Sequence, residues 1–206
     1  MNGPKGISPR DGERPFDFCL AMRRLCEDIA ERMPEFGHVR MEEVAVAFAQ
    51  TRRRVAHGLQ ARLTPMRFER GALVTVRNGR RWTVQRLFEG EREMLYILTF
   101  YLPRFCEHPF GEKLITVFHE LFHIGPRFDG DIRRMDGRYH VHSHSQKDYD
   151  CEMDALARRY LARGAPRSVY GFLEHRFDEL RRRHGAVVGV QVPIPKLIPV
   201  VESRSA

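Results

Sequence analysis

The segment His119-Glu120-Leu121-Phe122-His123 sets two imidazoles four residues apart, with a carboxylate next to the first. On a helix, residues i and i+4 lie one above the other, so both rings can reach a single ion. Glu120 then falls where it can touch a metal-bound water. This His-Glu-x-x-His spacing is the one in which zinc hydrolases use the glutamate as general base. The chemistry it suggests is peptide-bond hydrolysis, with Zn²⁺ held by His119 and His123 and a proton taken up by Glu120. In a competing reading this is a core helix whose histidines bond only to backbone. Leu114, Ile115, Val117, Phe118, Leu121 and Phe122 do make the helix apolar, and Gly125-Pro126 supplies a stop just after it. Three polar side chains on so apolar a helix fit that alternative poorly, because burying ionised groups without compensation costs several kcal/mol.

A zinc site that does chemistry needs a third protein ligand and an open position. Tyr139-His140-Val141-His142-Ser143-His144 places histidines at alternate positions, and an extended segment would point all three to one side. His140, His142 and His144 are therefore equal candidates on spacing alone. Ser145-Gln146-Lys147-Asp148 has the form of a capping box opening a helix, with Tyr149, Met153, Leu156, Ala157, Tyr160 and Leu161 at helical spacing. Glu152 on that helix is a fourth candidate ligand. Cys151 beside it is a weaker one, given the supply of histidines.

The run His119-Glu120-Leu121-Phe122-His123-Ile124-Gly125-Pro126-Arg127-Phe128-Asp129-Gly130-Asp131-Ile132-Arg133-Arg134, followed by Gly137-Arg138, His142, Ser145 and Tyr149-Asp150, resembles a family of HExxH metallopeptidases of phages and archaea. The match runs through this central segment, while the upstream half is similar only in general layout. The resemblance implies that His119 and His123 are metal ligands, that Glu120 is the base, and that His142 is the third ligand. It gives no counterpart for His140 or His144.

Elements that could position these residues follow from periodicity and turn chemistry. Phe18, Met22, Cys26, Ile29 and Met33 recur at helical spacing as far as Pro34. Val44, Val46 and Phe48 alternate as a strand does, and Asn78-Gly79 between Leu73–Arg77 and Arg80–Val84 is a hairpin signal. Met94 to Leu102 reads as a further strand closed by Pro103, and residues 111–124 as the site helix. The layout predicts an α+β, zincin-like domain with an N-terminal helix, antiparallel strands, the active-site helix and C-terminal helices. Residues 94–102 are expected to be the strand beside that helix, open to pairing with an extended peptide. Three segments are expected: a disordered Gly-, Pro- and charge-rich leader over 1–14, the zincin-like domain over 15–185, and an apolar, Pro-containing tail over 186–206 that could dock as an edge segment.

At 206 residues and 42% hydrophobic the chain can bury a substantial core. No apolar run approaches the roughly 18–20 residues needed to span a bilayer, and the first residues lack the apolar stretch of a signal peptide, so a cytoplasmic location without a membrane partner is expected. Cys19, Cys26, Cys106 and Cys151 form no Cys-x-x-Cys pair, which argues against a disulfide framework or a zinc knuckle.

The net charge of +8 is concentrated between Arg52 and Arg86, where ten arginines face one acid, Glu69. Arg80-Arg81-Trp82 beside the hairpin tip would suit a phosphate backbone and a stacked base. An arginine-rich solvent face on a two-stranded ribbon explains the alternation equally well. Three function classes follow. One is a zinc metallopeptidase acting on protein or peptide. Another is a nucleic-acid-associated metal-binding module, or a protease recruited to DNA, working through Arg52–Arg86. The third is an interaction protein without metal.

Overall fold

The computed structural model describes residues 14–51, 57–134 and 146–201. Most of the leader, Arg52 to Arg54, the three alternating histidines, the proposed capping residue Ser145 and residues 202–206 lie outside them. A short strand, β1 (Phe16–Asp17), leads into helix α1 (Phe18–Arg32). Asp17 starts the helix, its carboxylate accepting from the Leu20 N–H at 2.9 Å. Phe18, Met22, Leu25, Cys26 and Ile29 are fully buried, which is the expected face. Met33 is extended, as the residue before Pro34 must be, and the helix ends there.

The strands are β2 (Val44–Gln50), β3 (Ala61–Pro65), β4 (Val74–Arg77), β5 (Arg80–Val84), β6 (Phe88–Glu89), β7 (Arg92–Glu93) and β8 (Tyr96–Leu102). Helices α2 (Phe110–Phe122), α3 (Gln146–Ala162), α4 (Arg167–Tyr170) and α5 (Phe177–His184) follow, and β9 (Val187–Val188) and β10 (Leu197–Pro199) close the described chain. Helices and sheets together make the α+β class expected from the sequence. Among the described residues no helix is long and apolar enough to cross a membrane.

The main sheet has the order β2-β8-β3. β8 runs antiparallel to β3 but parallel to β2, so this sheet is mixed rather than antiparallel. The long connection from β2 to β8 contains two other strand pairings, and such a crossover is what a parallel pairing requires. β8 is nearly all apolar, Tyr-Ile-Leu-Thr-Phe-Tyr-Leu, because a central strand is covered on both faces. Phe18 meets Phe100 edge-on at 5.7 Å, and Phe100 meets Phe105 at 4.8 Å, tying α1 to the sheet. On the other helices, Phe118 of α2 packs against Tyr160 of α3 at 5.8 Å. The Tyr160 hydroxyl donates to Asp28 Oδ2 at 2.6 Å, and Arg32 holds the same carboxylate, so α3 is fastened to α1 by a polar clasp at the core margin.

The second sheet has the order β10-β5-β4. Its hairpin turns through Asn78 and Gly79, whose φ values of 51° and 73° are those of a type I′ turn, as the Asn-Gly pair predicts. The tail lies along both sheets. The Phe48 N–H of β2 donates to the Val190 carbonyl, β9 pairs with β1, and β10 pairs with β5. Of the four thiols, Cys19, Cys26 and Cys106 are buried and Cys151 is exposed. Burial pushes the Cys106 thiol up to about 12 and raises Cys26 as well, so both act as small apolar side chains.

Candidate metal centre

Helix α2 owes its place to Leu114, Val117, Phe118 and Leu121, all buried against the core. The same helical twist brings His119 and His123 to a half-buried face with Glu120 between them. The helix ends at Phe122, yet His123 keeps helical dihedrals, φ −67° and ψ −17°, so the four-residue spacing survives the terminus. The two imidazole rings have centroids 4.6 Å apart and are nearly perpendicular, at 80°. Rings this close on one helical turn lie within reach of a single ion.

Beyond the helix the chain folds back on itself. The Arg133 N–H donates to the His123 carbonyl at 2.7 Å, the Gly125 N–H donates to the Asp131 carbonyl, and Ile124 bridges Ile132. Arg133 also donates through Nε to the Phe122 carbonyl and stacks its guanidinium 4.2 Å from the Phe122 ring. Asp131 organises this loop. Its carboxylate accepts from the backbone N–H groups of Arg70 and Ile132, both at 2.9 Å, and from Arg134 Nε and Nη2 at 3.1 and 2.9 Å. The Tyr96 hydroxyl donates to the Asp131 carbonyl and accepts from the Gly130 N–H. Gly130 sits at φ 84°, where a Cβ would lie 2.4 Å from Arg67 Cγ, so glycine is required. The Phe-x-Gly-Asp-x-Arg-Arg stretch is thus a scaffold that fixes the exit from α2.

Glu120 points inward. Its side chain is buried, and Oε2 accepts from the Leu63 backbone N–H at 2.6 Å. Burial pushes its pKa up to about 7, against the opposing pull of the Leu63 N–H and the Arg62 charge. A carboxyl balanced near neutrality can take up and release a proton at ordinary pH.

The Leu63 N–H is available because β3 is an edge strand. Gln60 accepts from Tyr101, and Met66 donates to Leu95, so residues 60, 62, 64 and 66 turn their backbone groups toward β8. Ala61, Leu63 and Pro65 turn theirs outward. This corrects the expectation for residues 94–102: β8 is paired on both sides, and β3 is the strand that borders α2, its outer edge unpaired among the described residues. The short length of β3 and the proline at its end are edge features.

A polar line along α2 leads to the site and carried no recognisable motif. Thr116 Oγ1 donates to Gln60 Oε1 at 3.2 Å, Gln60 Nε2 approaches His108 Nδ1 at 3.5 Å, and His108 Nδ1 meets Glu112 Oε2 at 2.8 Å. His38 is a second unanticipated group. It bonds to the Ile124 backbone, its Nε2 is buried without a hydrogen-bond partner, and burial lowers its pKa.

The structure places His119 and His123 side by side at the end of α2 and turns the Glu120 carboxyl toward β3. His140, His142 and His144 lie outside the described residues, and Glu152 is exposed on α3. Among the described residues no group of three His, Cys, Asp or Glu side chains is gathered to hold a metal. The donors present, two imidazoles on one turn of helix, are of the kind that suits a divalent transition metal and could supply two of the three ligands that a catalytic site needs.

The basic stretch Arg52–Arg86 divides among several environments. Arg62 lies on β3, while Arg67 and Arg86 both bind Glu93, at 2.6 and 2.5 Å, and together hold its carboxyl down at about 2. Arg77, Arg80 and Arg81 are exposed at the hairpin end of the second sheet. No family model, curated protein or solved structure matches this chain.

Proposed function

We propose that the chain is a zinc-dependent peptidase with a zincin-like arrangement of site helix and edge strand. The observation that carries this reading is Glu120: a buried carboxyl with a pKa near 7, one residue from an imidazole pair on the same helix and bonded to the neighbouring strand. His119 and His123 would hold the metal. His142 is the third ligand that the family resemblance implies, with His140, His144 and Glu152 as alternatives.

A divalent ion bound there supplies a Lewis acid, which acidifies water and polarises a carbonyl. The protein's own groups do the rest. Glu120 accepts a proton from the attacking water and delivers it to the departing amide nitrogen, and its burial keeps bulk solvent from that exchange. The Leu63 N–H fixes one carboxylate oxygen, so the other is the one free to face the reacting water. Along the open edge of β3, the carbonyls of Ala61 and Leu63 and the Ala61 N–H can pair with an extended peptide and hold it across the site.

Elemental analysis beside fluorescent-casein hydrolysis tests this reading. One divalent metal per chain is expected in the purified protein, with strong loss in His119→Ala, His123→Ala and His142→Ala. Glu120→Gln should keep the metal and lose hydrolysis. Full metal content in His119→Ala would overturn the reading, and a Glu120→Gln protein with unchanged turnover would remove Glu120 from the mechanism.

A further inference from the structure

No side chain of the β10-β5-β4 sheet enters the chemistry proposed above, and its composition is unusual. Neither residues 72–87 nor residues 186–201 contain an aspartate or glutamate. Directly opposed residues of antiparallel strands share a face, and here Arg77 opposes Arg80 and Pro199 opposes Trp82. Alternation along β5 puts Arg80, Trp82 and Val84 on that same face. Val84, at the inner end, packs against the cluster of Ala47, Met66 and Ile97 and so anchors the sheet to the body of the protein. From Leu197, which opposes Val84, out to the hairpin turn, a pocket of about 400 Å³ is lined by Arg77, Asn78, Arg80, Trp82 and Leu197. That is within the roughly 300–1,000 Å³ range of ligand sites.

The charges in this pocket are not neutralised from within. Arg86, a few residues on, is turned to Glu93, whereas Arg77 and Arg80 make no ion pair among the described residues. Two exposed guanidiniums attract an anion. A half-buried indole between them and the apolar Leu197 offers a flat surface to a planar ring. A nucleotide carries both features, a phosphate and a base, at adjacent positions. In a duplex the base faces are already stacked on one another, which leaves Trp82 without a partner, while a single strand exposes them. An acidic peptide would satisfy the arginines but not the indole.

We propose that this face of the second sheet binds single-stranded nucleic acid, with one base stacked on Trp82 and flanking phosphates on Arg77 and Arg80. The binding is independent of the sequence of the strand, since the pocket offers stacking and charge rather than a pattern of base-edge contacts.

Trp82 is the sole tryptophan of the chain, so its emission reports directly on the proposed contact. Titrating the full-length protein with a dT 12-mer, a U 12-mer, a 12-base-pair duplex and poly-glutamate in low salt tests the assignment. The single strands should quench the emission, and whichever of the two binds more tightly identifies the source as DNA or RNA. Two bound phosphates should give a slope of log affinity against log salt of about −1.4, from about −0.7 per phosphate on a single strand. Arg77→Glu with Arg80→Glu should abolish binding. By anisotropy of a labelled 12-mer, Trp82→Ala should weaken binding roughly 5- to 150-fold, the range for loss of one stacked base, while Trp82→Phe should retain most of it. If Trp82→Ala does not fold, as judged by circular dichroism, the arginine pair and Trp82→Phe carry the test. Absence of quenching, duplex or poly-glutamate binding as tight as single-strand binding, or wild-type affinity in the arginine double variant would each overturn the proposal.

Discussion

Replacing Glu120 by Gln removes a buried acid whose ionisation the fold resists, and the size of that resistance can be worked out. Burial holds the folded pKa at about 7, against 4.5 for the free side chain. A folded pKa raised above the unfolded one means that the associated stability is fully present below pH 4.5. It is lost as pH rises through 7. At 1.36 kcal/mol per unit, the native state gives up about 3 kcal/mol over that window, and most of the loss, about 2–3 kcal/mol, falls between pH 5 and pH 8. Glutamine cannot ionise and still accepts from the Leu63 N–H, so Glu120→Gln lacks this loss. The new side-chain NH₂ has to find a partner, at a cost of about 1–3 kcal/mol if it does not, but that cost is the same at both pH values. The quantity to measure is therefore the change with pH of the stability difference between variant and wild type. Thermal unfolding in chelator at pH 5 and pH 8 keeps metal out of the balance. The variant should gain on the wild type by about 2–3 kcal/mol between them, roughly 5–10 °C in Tm for a chain of this size. A stability difference that is the same at both pH values would refute the claim that burial controls this carboxyl.

Asp131→Ala should cost about 2–4 kcal/mol in urea unfolding, because the carboxylate's four hydrogen-bond partners include two backbone N–H groups left without an acceptor. It should also weaken metal retention, since the loop it holds is bonded to the His123 carbonyl. Glu93→Gln tests the arginine clasp. The Glu93 pKa is lowered, so its contribution is present above pH 4.5 and is lost as pH falls towards 2. The full shift corresponds to about 3 kcal/mol, which solvent around the half-exposed Arg86 reduces to about 1–2 kcal/mol at pH 7. That deficit of the variant should shrink steadily in unfolding curves taken between pH 4.5 and 2.

Features encoded within a few residues were legible in the sequence, and those that depend on distant pairing were not. The apolar spacing from Phe18 to Met33 and from Leu114 to Leu121 reports which helical face is buried, and the Asn78-Gly79 pair dictates a turn with positive φ; neither depends on the rest of the chain. Which strand borders α2 does depend on it. The residues of β8 read as a strand either way, but only their pairing to both β2 and β3 makes that strand central and moves the open edge to Ala61–Pro65. The continuous apolar character of β8 was the available signal, since an edge strand with one solvated face alternates. The arginines failed as a single patch for the same reason. A count from Arg52 to Arg86 cannot show that Glu93, outside the stretch, takes two of them.

The edge position of β3 and the state of Glu120 are two aspects of one arrangement. A central strand has spent all its backbone donors on its neighbours, so only an edge strand can turn an N–H toward a buried carboxylate. Leu63 does so, and without that bond the desolvated Glu120 would be displaced still further toward its neutral form. The same bond withdraws one donor from the open edge, and Pro65 has none to offer. The outward groups that remain are the Ala61 N–H and the carbonyls of Ala61, Leu63 and Pro65, a row with more acceptors than donors. A peptide laid along β3, as the proposed function requires, would therefore be held mainly through its own N–H groups at alternate residues. Its fit is set by backbone spacing before any side chain is read. On the proposed function, the hydrogen bond that tunes the acid would also bias the edge beside it toward the N–H groups of an extended peptide.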